Sequence, residues 1–149
     1  MAALAAAFRA RHGNGGHSTP KTEDTAGGAD EPLLDSNIFL ETTSMMGPSR
    51  MASLVIEFEK TMRADLAALH AAINADNMTL SREAAHRALG LCLVMRAVSL
   101  AGRLQRIEEA ADAGNAEIAR DLATGIDPIL TSTLSEMRSA LEPPPSQGV

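Results

Sequence analysis

Few side chains in this sequence can carry chemistry near neutral pH, and histidines are foremost among them. The chain has four histidines and one cysteine: His12, His17, His70, His86 and Cys92. His86 lies within the run EAAHRALGLCLVMRAVSLAGRLQRIEEA, whose alanine and leucine content favours a helix. An imidazole held on a helix can act as a nucleophile or an acid–base group, so His86 is the first candidate for a functional residue.

Gly90, four residues after His86, strengthens this candidate. A glycine inside a helix costs about 0.5–1 kcal/mol relative to alanine, so in an alanine-rich helix it indicates that something approaches the backbone there. At 3.6 residues per turn, His86 falls beside the predicted core stripe and should be at least partly exposed. That stripe consists of Ala84 or Ala85, Ala88, Leu91 or Cys92, and Met95.

The other histidines and the cysteine are weaker candidates. His12 and His17 have no cysteine or further histidine to complete a metal site, so we predict no metal centre. His70 falls late in a helical stretch with no glycine beside it, which favours a surface or boundary role. Cys92 is predicted to be a small core residue, because nothing local would activate its thiol.

Signatures of an enzyme are missing from the rest of the sequence. It contains no nucleotide-binding loop, catalytic triad or complete metal motif. Glu108 and Glu109 are adjacent, so on a helix they point in different directions and make a poor acid–base pair. We assign Glu108 to helix packing, and the sequence disfavours an enzyme.

Composition limits the partners and the compartment. The net charge is −6, Lys and Arg are scattered, and the chain has no Trp, no Tyr and three Phe, which argues against nucleic acid. No stretch approaches the ~20 apolar residues that span a bilayer. The first arginines follow the initial apolar residues, unlike a secretory signal, and a single cysteine fits a reducing compartment. We therefore expect a cytoplasmic protein with no membrane or nucleic-acid partner.

Hydrophobic periodicity predicts helices through the middle of the chain. Residues 1–31, rich in Gly, Ser, Thr and charge, are predicted to be a disordered arm, and residues 143–149 a flexible tail. The predicted helices run from a cap at Asp35 to Met46, from Pro48 to about Asn74, from a cap at Thr79 or Ser81 to about Arg96, then to Gly114, and from Asn115 to Leu141 with a bend or break between Gly125 and Pro128. The predicted apolar stripe of the second helix is Leu54, Phe58, Met62, Leu66, Leu69 and Ile73. Short connections between amphipathic helices imply an all-α, antiparallel up-and-down four-helix bundle over residues 32–142, with a short N-terminal helix.

The stretch AAHRALG followed by VSLAGRLQRIEEAADAGN resembles the signature of histidine phosphotransfer (HPt) domains. In that family an exposed His is followed by Gly at the fourth position, Leu at the fourteenth, and an apolar–Glu pair at the twenty-first and twenty-second. Here those positions hold His86, Gly90, Leu100, Ile107 and Glu108. The upstream stretch LLDSNIFLETTSMMGPSRMASLVIEFEKTMRADLAALHAAINADN is similar to the family's opening helices, so the resemblance covers roughly residues 33–142.

The resemblance implies a phosphorelay role with His86 as the phosphoacceptor. Gly90 would then clear the backbone for a docking partner, and Leu89 with Leu93 would form part of an apolar docking patch. The implied partners are response-regulator receiver domains and possibly a hybrid histidine kinase. The chain itself would need no cofactor, since Mg²⁺ is expected on the receiver, and it would be a monomer or a weak dimer.

One departure from the family pattern leaves two functions open. The family usually has Lys three residues after the His, where this chain has Leu89. Arg82 lies one turn before His86 on the same face and is the better cationic substitute, whereas Arg87 points about 100° away around the helix. The alternative is a non-catalytic HPt-like bundle that binds receivers or other signalling domains without being phosphorylated.

Overall fold

The computed structural model describes residues 31–142, and the described residues from Leu33 onward belong to one compact unit. The predicted disordered arm, apart from its last residue, and the predicted flexible tail lie outside the described residues. Within the described range the secondary structure is six helical segments with no strand. They are α1 (Ser36–Met46), α2 (Pro48–Asn74), α3 (Met78–Val94), α4 (Val98–Asp112), α5 (Ala116–Thr124) and α6 (Ile126–Leu141).

The four-helix bundle consists of α2, α3, α4 and the pair α5–α6, which together supply the fourth helix. Three-residue turns connect α2 to α3, α3 to α4 and α4 to α5, and consecutive helices pack against each other, so the chain runs up and down. The short α1 packs on α2 and α6. None of the described helices is long and apolar enough to cross a membrane. The predicted fold class is confirmed.

Local capping explains where most helices begin. The Asp35 carboxylate accepts a hydrogen bond from the Ile38 amide at 3.4 Å, and Pro48 occupies the first turn of α2, both as predicted. Asn115 caps α5 by accepting from the Ile118 amide at 3.2 Å, also as predicted.

The predicted cap of α3 is wrong. Asn77 caps this helix and accepts from the Leu80 amide at 3.0 Å, so α3 begins before Thr79. Ser81 is already inside the helix, where its hydroxyl donates to the Asn77 carbonyl at 2.7 Å. Asn is as good a cap as Ser, and an Asn77 cap starts the helix about half a turn earlier than a Thr79 cap would and about one turn earlier than a Ser81 cap would.

The turn between α3 and α4 is stabilised from two directions. Arg96 takes a left-handed conformation with φ of 63°, and the Ala97 amide donates to the Cys92 carbonyl at 2.9 Å, closing the end of α3. The segment before α1 lies alongside this turn, because the Asp35 amide donates to the Arg96 carbonyl at 2.9 Å and the Val98 amide donates to the Leu33 carbonyl at 3.0 Å.

The fourth helix is interrupted at Gly125, as predicted, while Pro128 lies in the first turn of α6. Arg103 of α4 donates through Nη1 to the Leu122 carbonyl at 2.9 Å, which satisfies an end carbonyl that the interruption leaves without a helical partner. Burial and the neighbouring Arg106 lower the pKa of Arg103, although the group stays charged near neutral pH.

Small residues fill the core between α3 and the helices beside it. The predicted stripe is confirmed at Ala84, Ala85, Ala88, Cys92 and Met95, which are buried, whereas Leu91 is half-buried. Buried Ala101 and Gly102 of α4 are similarly small, which lets helix backbones approach closely. In α2 the predicted stripe is correct except at Leu54, which is exposed; Met51 and Val55 are buried at that end of the helix.

Candidate functional site

His86 lies in the middle of α3 with 48 % of its side chain exposed, which confirms the predicted exposure. The alanine stripe on the buried side of α3 brings the helix close to α4. As a result, the imidazole emerges along the line where the two helices meet.

The imidazole is held by a carboxylate from α4. His86 Nδ1 lies 2.9 Å from Oε2 of Glu108, whose side chain is 22 % exposed. A carboxylate can only accept, so Nδ1 carries the hydrogen and Nε2 keeps its lone pair in the neutral ring. This contact both orients the ring and selects its tautomer.

Sequence reasoning missed this contact, because it assigned Glu108 to helix packing alone. Glu108 does join two helices, but it does so through the imidazole. The available signal was the pair Ile107–Glu108: Ile107 is fully buried, so the next residue must project about 100° around α4 and emerge at the helix boundary.

Two arginines flank His86, and each faces an acidic residue of another helix. Arg82 Nε lies 3.8 Å from Oδ1 of Asp112 on α4, and Arg87 Nε lies 3.7 Å from Oδ1 of Asp65 on α2. Both guanidinium groups are substantially exposed. Arg82 therefore reaches towards α4, the helix that the imidazole also contacts, and Arg87 reaches towards α2.

The prediction that Leu89 belongs to an exposed docking patch is wrong. Leu89 is 2 % exposed and belongs to the core cluster, because it lies about 60° around α3 from His86 towards Ala85 and Cys92. Gly90 and Leu93 are half-buried and remain available at the surface. The exposed apolar side chain on this part of α3 is Val94, at 71 %, which sequence reasoning did not single out.

The remaining candidates take structural positions. His70 is half-buried on α2, and its Nε2 lies 3.3 Å from Asp127 at the start of α6, which agrees with a boundary role. Cys92 is buried, and the loss of solvation raises the pKa of its thiol well above the usual range, so the thiol stays protonated. His12 and His17 lie outside the described residues. Within residues 31–142 no three His, Cys, Asp or Glu side chains cluster as a metal site would require.

Comparison with solved structures identifies the fold. The chain is similar to the crystal structure of histidine-containing phosphotransfer protein B (HptB) from Pseudomonas aeruginosa PAO1, with a TM-score of 0.69 and 25 % sequence identity. The match covers 75 % of this chain and 96 % of that one. The described bundle therefore has the HPt fold. The covered share of this chain, 75 %, is about the share of the sequence that residues 31–142 make up. No family model matches the sequence, and no curated protein sequence matches it.

Within the HPt bundle, the contact between His86 and Glu108 gives the site a defined chemical capacity. One ring nitrogen is engaged by a carboxylate and the other is free to act as a nucleophile. The positively charged side chains nearest in sequence on α3 are Arg82 and Arg87, each paired with an acid of another helix. The free ring nitrogen could therefore accept an electrophilic group at an exposed surface.

Proposed function

We propose that this protein carries a phosphoryl group on His86 between receiver-domain aspartates of a two-component phosphorelay. The observation that carries the proposal is the geometry of the imidazole. His86 Nδ1 lies 2.9 Å from Oε2 of Glu108, and the His86 side chain is 48 % exposed. The similarity to a histidine-containing phosphotransfer protein, which covers 75 % of this chain, supports the same role.

In the forward step, the Nε2 lone pair of His86 forms a bond to the phosphorus of an aspartyl phosphate on the receiver. The bond from phosphorus to the aspartate oxygen breaks, and the aspartate leaves as a carboxylate with the bonding electrons. The ring keeps its Nδ1 proton and becomes positively charged, and the Glu108 carboxylate faces that charge. Transfer to the next receiver reverses these changes, so the protein acts as a carrier and is not itself an enzyme.

The receiver would contribute the metal ion. Its Mg²⁺ would neutralise the phosphoryl oxygens during the loose transition state. On this chain, Gly90 presents helix backbone without a side chain one turn after His86, and half-buried Leu93 with exposed Val94 offers apolar contact two turns after it. Arg82 and Arg87 are the candidate cations for the phosphoryl oxygens, since the family lysine position is filled by Leu89. We expect a monomer or weak dimer in the cytoplasm.

A second function is favoured by one observation. Leu89 occupies the position where the family usually has Lys, and its side chain is buried in the core. This position therefore lacks a cation and also does not face the solvent. A bundle that docks on receivers without accepting phosphate would account for that change. In this case the surface of Gly90, Leu93 and Val94 would act by occupancy alone.

Transfer of label separates the two functions. A receiver domain from the same cell, carrying radiolabelled aspartyl phosphate, is mixed with the wild-type protein, a His86→Gln variant and a His70→Gln variant. We expect acid-labile label on the wild type and on the His70 variant, and none on the His86 variant. His70→Gln is the matched control, because it removes another half-exposed helical imidazole that also faces a carboxylate. If the receiver binds but neither the wild type nor either variant takes up label, the protein acts by binding receivers without accepting phosphate.

A further inference from the structure

Two neighbouring contacts join the exposed edges of α3 and α4. One is the hydrogen bond between His86 and Glu108 at 2.9 Å, and the other is the ion pair between Arg82 and Asp112 at 3.8 Å. Arg82 precedes His86 by one turn, and Asp112 follows Glu108 by one turn. The two helices are antiparallel, so these two contacts are adjacent, and Arg82 and His86 lie on the same face of α3.

The two arginines beside His86 are held differently. Asp65, the partner of Arg87, is only 17 % exposed, so that pair lies where charges are less screened by water. Asp112, the partner of Arg82, is 76 % exposed. The two separations, 3.8 Å and 3.7 Å, are nearly equal, so the pairs differ in the exposure of the acid and not in distance. Exposed pairs of this kind contribute little and exchange readily. Arg82 can therefore leave its partner at small cost, whereas Arg87 is retained by α2.

We propose that Arg82 is the residue that binds the phosphoryl oxygens of phosphorylated His86, and that Asp112 competes for it. The inference rests on the proposed function, because it requires a phosphoryl group on Nε2. A phosphoryl group carries more charge than a carboxylate and offers three acceptor oxygens to the planar guanidinium, so Arg82 moves to it when it arrives. No covalent bond changes in this step; one ion pair replaces another.

This exchange has a consequence for the direction of phosphoryl flow. Binding by Arg82 stabilises phosphohistidine relative to the aspartyl phosphate of the receiver. Asp112 reduces this stabilisation by holding Arg82 when the imidazole is free. Arg82 and Asp112 together thus set the ratio of phosphohistidine to aspartyl phosphate at equilibrium. Arg82 takes the role of the family lysine, whose position Leu89 occupies here.

The equilibrium share of label on the protein tests the proposal. Wild type and variants are incubated with the labelled receiver until the partition is constant. Asp112→Asn frees Arg82, and we expect it to raise the ratio of phosphohistidine to phosphoaspartate about two- to fivefold. Arg82→Gln should lower the ratio by a similar factor, and by more than Arg87→Gln does.

A double variant separates competition from simple repulsion between Asp112 and the phosphoryl group. If Asp112 acts through Arg82, Asp112→Asn has no effect on the ratio in the Arg82→Gln background. An equal effect in both backgrounds would mean direct repulsion and would overturn the proposal, as would a normal ratio for Arg82→Gln. Asp121→Asn, an exposed acid on α5, is the control for net charge. Wild type without label on His86 would overturn the proposed function as well, whereas a labelled wild type with unresponsive variants would overturn this inference alone.

Discussion

The contact between Glu108 and His86 predicts how strongly transfer depends on a residue that touches no phosphate. Replacing Glu108 with Gln keeps the shape and an amide oxygen that can accept from Nδ1, but removes the negative charge. A hydrogen bond to a charged group is worth about 1.5–3 kcal/mol and a neutral one about 0.5–1.5 kcal/mol. The side chains are 48 % and 22 % exposed, so we take the lower part of that difference, about 1 kcal/mol.

The expected result is a rate of transfer to His86 about fivefold lower for Glu108→Gln. Glu108→Ala removes the acceptor as well, so the ring can rotate and either nitrogen can carry the proton. We expect a larger loss of about ten- to thirtyfold, because the nucleophilic nitrogen is then no longer selected. Rapid-quench measurement of label transfer from the receiver gives these rates under single-turnover conditions.

Nitrogen NMR of His86 provides the readout that a purely structural role would not change. In the wild type the ring should be the tautomer with hydrogen on Nδ1, and in Glu108→Ala the two tautomers should mix. Glu109→Gln is the control, because it alters the adjacent acid on α4 without touching the imidazole contact. A wild-type transfer rate and an unchanged tautomer in Glu108→Ala would refute the reasoning.

Three further perturbations test the site and the bundle. Gly90→Gln places a side chain one turn from His86 and should weaken receiver binding, measured by calorimetry, without lowering the melting temperature by more than a few degrees; unchanged affinity would remove the clearance argument. Leu89→Lys puts a charge in the core and should destabilise the protein by about 2–4 kcal/mol in urea unfolding; a neutral effect would contradict its burial. Hydrogen bonding to Arg63 and then Arg138 lowers the pKa of Glu59 below its ordinary value of 4.5. The stability that the ionised Glu59 contributes is present above pH 4.5 and is lost as the pH falls through the lower pKa of the folded state. Glu59→Gln should therefore reduce the loss of folding free energy in acid by less than about 1 kcal/mol. Identical acid unfolding curves for the two proteins would refute this prediction.

The helices could be predicted from the sequence because their limits depend on local chemistry. Asp35, Pro48 and Asn115 act within one turn of their own position, and Gly125 interrupts a helix wherever the helix packs. The cap of α3 was assigned too late because Asn77 and two later residues all have the right side chain. Only the hydrogen bond to the Leu80 amide distinguishes them.

The site was harder to predict because it depends on how α3 and α4 are rotated about their axes. A wheel places Leu89 and Val94 on opposite sides of His86, with Leu89 towards Ala85 and Cys92, but it does not say how wide the buried face is. Here the contact of small residues with α4 buries Leu89 and exposes Val94. The partners of His86 and Arg82 follow from the register between two helices, which no single stretch of sequence specifies. The exposure of His86 itself needed only the position of the alanine stripe.

The hydrogen bonds between the segment before α1 and the turn after α3 couple distant parts of the chain. The Val98 amide is protected by the Leu33 carbonyl, and the Arg96 carbonyl is engaged by the Asp35 amide. Hydrogen exchange at the Val98 amide therefore reports whether the segment before α1, some sixty residues earlier in the chain, is packed against this turn. Val94 ends α3 just before this turn, so these hydrogen bonds hold the turn that follows the exposed Val94 side chain. A shortened protein that begins after Asp35 would keep His86 but would lose both hydrogen bonds that hold the turn after α3.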